Sequence, residues 1–351
     1  MHIYSQVLLY IICMYISIYN SSADTQCPTT PEYASDRRLS QNSFRIVQYN
    51  VEWLFVDYYA PMDCPGAHCT WVNQSEALIH MKYVADVVRT LQPDILNLCE
   101  VEGCDELAML ISNEYLGDPS YIPYLKQGTD TSTGQNVGMI TRIDPLVSLY
   151  RTEEKVQYPL PGSNCGYTGS PANVGVSKHY ITEYKWYGRP IAVIGLHLLA
   201  YPEDPTRCAE REAQAQVIQN VIVQYIANDY EILVLGDFND FDGETLDLNK
   251  NIPSSRVLRI LKGLDGQYTG KYSLENCAEG MSQSERWTDW WDQNGDLVSS
   301  SNEFSMIDHV LVSPFLKTKI RAVSVYHGYA EFYGKYNSDH YPVVIDLDPN
   351  M

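Results

Sequence analysis

The chain is short of positive charge. Its 351 residues carry 24 Lys and Arg against 44 Asp and Glu, a formal net charge of −20. No basic stripe breaks the acidic composition, which argues against a passive module that holds nucleic acid through its own side chains. Chemistry on phosphodiesters stays open, because a divalent cation can supply the charge that the side chains lack. Also missing are internal repeats, coiled-coil heptads, low-complexity blocks and any cysteine pair with the C-x-x-C spacing of a zinc site.

Long apolar runs are absent apart from one. From Val7 to Ile18 the run "VLLYIICMYISI" is interrupted only by Ser17, and "NSSAD" follows. It is too short for a comfortable membrane span and is read as an export signal, residues 1–23, cut after Ala23 with Ser21 at the small −3 position. A retained anchor is the alternative, since the leading segment offers His2 but no Lys or Arg. A flexible polar segment, 24–42, and a single domain, 43–351, complete the expected organisation. The expected location is secreted, extracellular or in the lumen of the secretory pathway, with no stable membrane anchor.

Loss of the signal removes Cys13 and leaves eight cysteines: Cys27, Cys64, Cys69, Cys99, Cys104, Cys165, Cys208 and Cys277. An even set in an exported chain suggests disulfides, with connectivity open except that Cys165 and Cys208, flanking one strand, are taken to pair. Asn73-Gln74-Ser75 is a glycosylation sequon.

Periodicity gives the outline of the fold. "FRIVQYNVEWLF", "ILNLCE", "VGMITRI", "YITEYKWY", "PIAVIGLHLLA", "EILVLGDF", "SMIDHVLVS" and "YPVVIDLD" read as strands. Helical spacing recurs from Glu76 to Leu91, in "REAQAQVIQNVIVQYIA" and near "SSRVLRILKGL". Several strands follow one another directly, which predicts an α+β fold of two packed mixed β-sheets covered by helices.

Polar residues stand at the ends of these apolar strands in six places. They are Asn50 in "VQYNVEW", Glu100 in "LNLCEVE", His197 in "VIGLHLLA", Asp237 and Asn239 in "LGDFND", Asp308 in "MIDHVLV", and Asp339-His340 in "NSDHYPVVI". Each alone could be a turn or a satisfied core group. Together they are harder to explain structurally, because an unpaired buried charge costs several kcal/mol. The set contains hard oxygen donors suited to Mg²⁺ or Mn²⁺. It also contains an acidic residue able to orient a histidine as a general base for water.

The ordered blocks "YNVEWLF", "LCEVEG", "GLHLLA", "LGDFND", "IDHVLVS" and "SDHYPV" resemble the endonuclease/exonuclease/phosphatase superfamily, the deoxyribonuclease I-like hydrolases, over Phe44 to Asp348. The resemblance implies a four-layer α/β/β/α sandwich with a single catalytic domain. It implies that Glu100 with Asn50 binds the divalent metal and that Asp339 contributes to the same or a second ion. His340 would be the general base, oriented by Asp308. His197 would bind phosphate and assist departure of the leaving group, while Asp237 and Asn239 would position water and phosphoryl oxygens. "QNVGMITR" resembles the block that approaches substrate, making Asn136 and Arg142 candidates, although Arg142 could equally form an ion pair. Lys178 could touch phosphate or be a solvated strand-end lysine. His179, His309 and His327 read as structural.

Within the superfamily, "GDFNDF" and the Trp-rich "RWTDWWD" look most like extracellular nucleases. Trp287, Trp290 and Trp291 could stack bases or pack a loop. The expectation is a secreted nuclease hydrolysing DNA, with RNA as a second candidate substrate, acting as a monomer without an obligate protein partner. A sphingomyelinase-like lipid phosphodiesterase is the alternative, with "YYAPMDCPGAHCTW" as the one candidate bilayer-entering segment. A phosphatase for highly charged inositol phosphates would ask for more Lys and Arg, and a non-enzymatic binding protein would show eroded motifs. "DQNGD", Asp292 to Asp296, with Glu303 suggests a possible structural Ca²⁺ site, although Leu297 stands where an EF-hand needs glycine.

Overall fold

Side chains on a strand alternate between its two faces, and here both faces of most strands are apolar. Such strands must be covered on both sides. The computed structural model describes residues 27–56, 69–296, 298–329 and 337–351. The chain runs through β1 (Phe44–Leu54), α1 (Gln74–Leu91), β2 (Ile95–Val101), α2 (Cys104–Ile111), β3 (Ile122–Leu125) and β4 (Asn136–Thr141). Next come β5 (Val156–Tyr158), β6 (Ala172–Val174), β7 (Lys178–Trp186), β8 (Arg189–His197), α3 (Pro205–Ile226) and β9 (Glu231–Asp237). Then follow α4 (Val257–Leu261), β10 (Glu275–Asn276), β11 (Asp289–Trp290), β12 (Phe304–Ser305), β13 (Asp308–Val312), α5 (Pro314–Lys317), β14 (Ile320–Val325) and β15 (Val343–Leu347).

One sheet has the order β14-β15-β1-β2-β4-β3 and the other β10-β13-β9-β8-β7. Each is mixed, with β1–β2 parallel in the first and β8–β9 parallel in the second. Ile46, Ile95 and Met139 of one sheet meet Val193, Leu235 and Val310 of the other in the central core. Their neighbours Val47, Leu96 and Leu98 face outward onto Met81, Val84 and Val88 of α1. Ile194, Ile232 and Val234 likewise face Ala213 and Val217 of α3. The result is the four-layer sandwich that the motifs implied.

Local signals set the element ends. α1 starts where the Asn73 side chain accepts from the Glu76 N–H at 3.0 Å. α3 begins at Pro205, earlier than its apolar periodicity predicts, because Asp204 accepts from the N–H groups of Thr206 and Arg207 at 2.8 and 2.9 Å. Cys165 and Cys208 are joined, fastening the loop between β5 and β6 to α3.

Two expectations need correction. The segment before β1 is not loose from Cys27 onward, since Cys27 is bonded to Cys104 and Arg37 pairs with Asp144 at 2.6 and 2.8 Å. Nor do all eight cysteines that follow the proposed signal form disulfides: Cys99 and Cys277 are free thiols in the core between the sheets, behaving as small apolar groups. The proposed export signal and residues 57–68, most of the candidate bilayer-entering segment, lie outside the described residues. No helix of the described residues is long and apolar enough to cross a membrane.

Candidate active site

Strand register gathers the site at one rim of the sandwich. In the second sheet His197 lies beside Asp237, and Asp237 beside Asp308, across three neighbouring strands. In the first sheet β1 and β2 both break register as they reach this rim, between Asn50 and Leu54 and between Cys99 and Val101. The breaks coincide with left-handed residues, Glu52 (φ 50°), Trp53 (φ 53°) and Glu100 (φ 65°). Each costs of order 1–3 kcal/mol, a cost that concentrates at functional sites. The Glu100 carboxylate accepts from the Trp53 N–H at 3.1 Å and from Asn50 Nδ2 at 3.2 Å.

The Asn50 amide is the hub. Its Nδ2 lies 3.1 Å from Asp237 Oδ2 and 3.4 Å from His340 Nε2, in addition to Glu100. His340 Nδ1 donates to Asp308 Oδ2 at 2.7 Å, and Gln48 Nε2 donates to the other Asp308 oxygen at 3.0 Å. The imidazole is thereby oriented with Nε2 toward the rim. On the other side of Asp237, His197 Nε2 lies 3.5 Å from Oδ2. Lys178 Nζ stands 3.5 Å from that same nitrogen and donates to Gln135 Oε1 at 3.1 Å. The Asn239 N–H donates to Asp237 Oδ1 at 2.9 Å, and its side chain donates to the Leu198 carbonyl at 3.1 Å.

Negative charge is crowded here. Burial pushes the Glu52 carboxyl well up, reinforced by Asp339 and Glu100. Asp339 and Asp237 are also raised, first by burial and then by neighbouring carboxylates. For His340, burial opposes the charged form, but Asp308, Asp339 and Asp289 outweigh it and hold the ring well above its ordinary range. His197 is depressed by burial, Lys178 and His340. Among the described residues no three His, Cys, Asp or Glu side chains already converge as an ion's ligands. The donor chemistry still fits a hard divalent cation: mutually repelling carboxylates at Glu100, Glu52 and Asp339 beside the amide of Asn50.

Ten of the eleven candidate residues lie at this rim, although one of the ten is committed elsewhere. Asn136 sits there with its side chain used up, accepting from the Gly128 N–H at 2.7 Å and donating to the carbonyls of Glu102 and Gly134 at 2.7 and 3.0 Å. Its amide shapes a loop instead of facing substrate. Lys178 is buried, not solvated. Arg142 lies beyond the far end of β4, next to Asp94 and away from the rim, bonded to Asp118 and Ser120 and stacked 4.4 Å over Tyr121. It is the ion pair and not a substrate contact. His309 faces away from the rim and bonds Asn276 and the Asp240 carbonyl. The tryptophans divide: Trp287 packs on the core, Trp290 is buried with its N–H on Glu303, and Trp291 is exposed. The same Glu303 oxygen accepts from the Ser300 N–H at 3.0 Å, so this carboxylate caps a short helix.

Sequence reading missed Gln48, Glu52 and Asp289. Gln48 carries a usable signal, since it precedes Asn50 by two on a buried strand and so shares its face. Glu52 is turned by the register break, its carboxylate accepting from the Asp339 N–H at 3.0 Å. Asp289 arrives from β11, its Oδ1 3.6 Å from His340 Nε2 and its other oxygen bonded by Ser305. Neither carries a local signal.

The model of the Endonuclease/Exonuclease/phosphatase family matches residues 47–340, from just before Asn50 through His340. The chain belongs to this family. Members are hydrolytic enzymes of the phosphodiesterase and nuclease type that generally use divalent metal ions, and this protein is accordingly a phosphoester hydrolase. No curated protein matches the chain in sequence. Among solved structures, it is similar to the 3′ phosphatase NExo from Neisseria bound to product DNA hairpin, with 15% identity over 87% of this chain and 99% of that one and a TM-score of 0.54. The 3′–5′ exonuclease NExo from Neisseria meningitidis gives 16% identity, 87% and 100% coverage and a TM-score of 0.54. A family protein from Leptotrichia buccalis gives 13%, 87% and 99%, and 0.51. At these identities the likeness is one of fold.

Proposed function

We propose that this family member is a secreted, divalent-cation-dependent nuclease that hydrolyses DNA by water attack on phosphorus. The observation that carries the reading is the bonded array Asp308–His340–Asn50–Asp237, which presents one oriented imidazole nitrogen beside an amide and a carboxylate. Disulfides and the absence of a membrane-crossing helix among the described residues are compatible with an extracellular setting. A DNA product is named for one structure of the same fold.

In this reading His340 takes the proton of the attacking water at Nε2, and Asp308 fixes the tautomer and stabilises the imidazolium. Asn50 and Asn239 supply amide dipoles, and Asp237 holds both in register. Glu100, Asn50 and Asp339 would hold the cation, which supplies charge neutralisation for an anionic substrate on an acidic protein. His197 and Lys178 lie on the side away from His340.

The test is plasmid nicking by the disulfide-bonded protein in Mg²⁺ or Mn²⁺, beside EDTA and His340→Ala. Nicked and then fragmented DNA, abolished by both controls, is the expected outcome. Intact plasmid with hydrolysis of RNA or sphingomyelin would replace DNA as the substrate.

A further inference from the structure

Asp289 reaches the rim from a segment that no motif marks, yet it is built in from several directions. Its backbone bridges His340 antiparallel. The Trp290 N–H donates to the Asp339 carbonyl at 3.0 Å, and the Tyr341 N–H donates to the Thr288 carbonyl at 2.8 Å. This bonding makes Asp289 and His340 a non-hydrogen-bonded pair, the kind whose side chains stand closest and on one side. The Thr288 hydroxyl accepts from the N–H groups of Ile307 and Asp308 at 3.2 and 3.1 Å, tying β11 to the acid that orients the base. Ser305 Oγ donates to Asp289 Oδ2 at 2.9 Å, which fixes the carboxylate with Oδ1 toward His340.

That oxygen faces the nitrogen read as the base. His340 Nδ1 directs its proton to Asp308, so in the base form Nε2 presents a lone pair. Asp289 Oδ1, 3.6 Å away, presents another. Two acceptors at that separation cannot bond each other, and they repel unless one donor serves both. Water has two O–H groups. Hydrogen bonds of about 2.8 Å to each acceptor would subtend about 80° at its oxygen, close enough to its own bond angle for both to form. The other neighbours of Nε2 are not equivalent. Asn50 Nδ2 at 3.4 Å is a donor, and Asp339 Oδ1 at 3.9 Å belongs to the carboxylates read as holding the cation.

We propose that Asp289 is the second acceptor of the attacking water: with His340 it takes both O–H groups and so turns an oxygen lone pair onto phosphorus. This deepens the nuclease reading above and rests on it. A water held by the base alone keeps its freedom to rotate about that one bond, and a second acceptor removes it. As the water oxygen bonds to phosphorus, one proton passes to His340 Nε2. The other stays on the new P–O–H group, still directed at Asp289. The bridging P–O bond breaks with its electron pair on the departing oxygen, which is protonated on the His197 side, as the motifs imply. The imidazolium left behind has its Nε2–H facing Asp289 Oδ1, a donor now opposite an acceptor, and gives that proton to solvent after product leaves.

The test measures kcat and KM on a short DNA oligonucleotide in Mg²⁺. Asp289→Asn keeps the shape and an oxygen for Ser305, which leaves the amide nitrogen to donate to His340 Nε2 and occupy the lone pair of the base. This variant is expected to melt like wild type and keep KM within about threefold while losing about 10²-fold in kcat. A merely structural Asp289 would be replaced by Asn without that loss. Asp289→Ala is expected to lose a similar factor, with formate restoring about tenfold or more of its rate but not that of Asp289→Asn, since only alanine leaves room for a free carboxylate. Wild-type kcat in Asp289→Asn would overturn the assignment, as would a rise in KM alone or an Asp289→Ala protein that formate does not restore. Recovery of either variant at raised Mg²⁺ would make Asp289 a ligand of the cation and overturn it too. If Asp289→Asn does not fold, as judged by thermal melting, the alanine variant with formate decides. No hydrolysis of DNA by the wild-type protein would instead overturn the nuclease reading itself.

Discussion

Asn50 and Asp308 show how much a single side chain is asked to do at this rim. The Asn50 amide has two N–H groups and three neighbours to serve, Glu100, Asp237 and His340, so the site is an interlocked set and not a row of independent groups. Asp308 is bonded on both oxygens, by His340 and by Gln48. Asp308→Asn keeps the shape but offers Nδ1 of His340 a donor as readily as an acceptor. A fall in kcat of about 10²–10⁴-fold is expected from loss of the tautomer. Plasmid-nicking rates check it, with an unchanged near-ultraviolet spectrum showing that the fold is intact.

At the scale of elements, the site depends on places where strands cease to be regular. β1 and β2 break register beside one another, and the left-handed Glu52 and Glu100 turn two carboxylates to the rim. β9 relies on closeness instead. A Cβ at Gly236 would come 1.8 Å from the Leu196 carbonyl of β8, whereas a Cβ at Gly270 would meet nothing within 4 Å. Gly236→Ala should therefore cost about 3 kcal/mol or more and displace Asp237. Gly270→Ala, strained only by its φ of 74°, should cost about 1–2 kcal/mol. Urea unfolding of the two variants measures the difference, and equal losses would refute the close-approach account.

For the whole molecule, covalent ties hold the periphery while burial holds the centre. The Cys165–Cys208 bond spans 43 residues and joins the β5–β6 loop to the first turns of α3, outside the second sheet. Cys208→Ser should cost about 2–5 kcal/mol and lower the melting temperature. Turnover at 25 °C should be unchanged, because none of the rim side chains lies in that loop. Loss of turnover at a temperature where the variant is fully folded would contradict this.

The sequence by itself determined the sandwich and most of the rim. Alternating apolar strands demand cover on both faces, and Asn50, Glu100, His197, Asp237, Asp308 and His340 mark where those strands end. These are local patterns, set by the two-residue period of a strand and the chemistry of its terminus. Gln48 was within reach of the same rule. Only the tertiary structure decided the rest. Glu52 faces Asp339 because of a register break, and Asp289 reaches His340 from a chain segment about fifty residues away in sequence. Arg142 is taken by Asp118, Asn136 by its neighbouring loop, and Glu303 by a helix cap. Cys99 and Cys277 stay reduced in the core while Cys27 crosses to Cys104. The physical reason is common to all: a side chain's partner is fixed by what packing brings beside it, and no local period records which distant residue that will be.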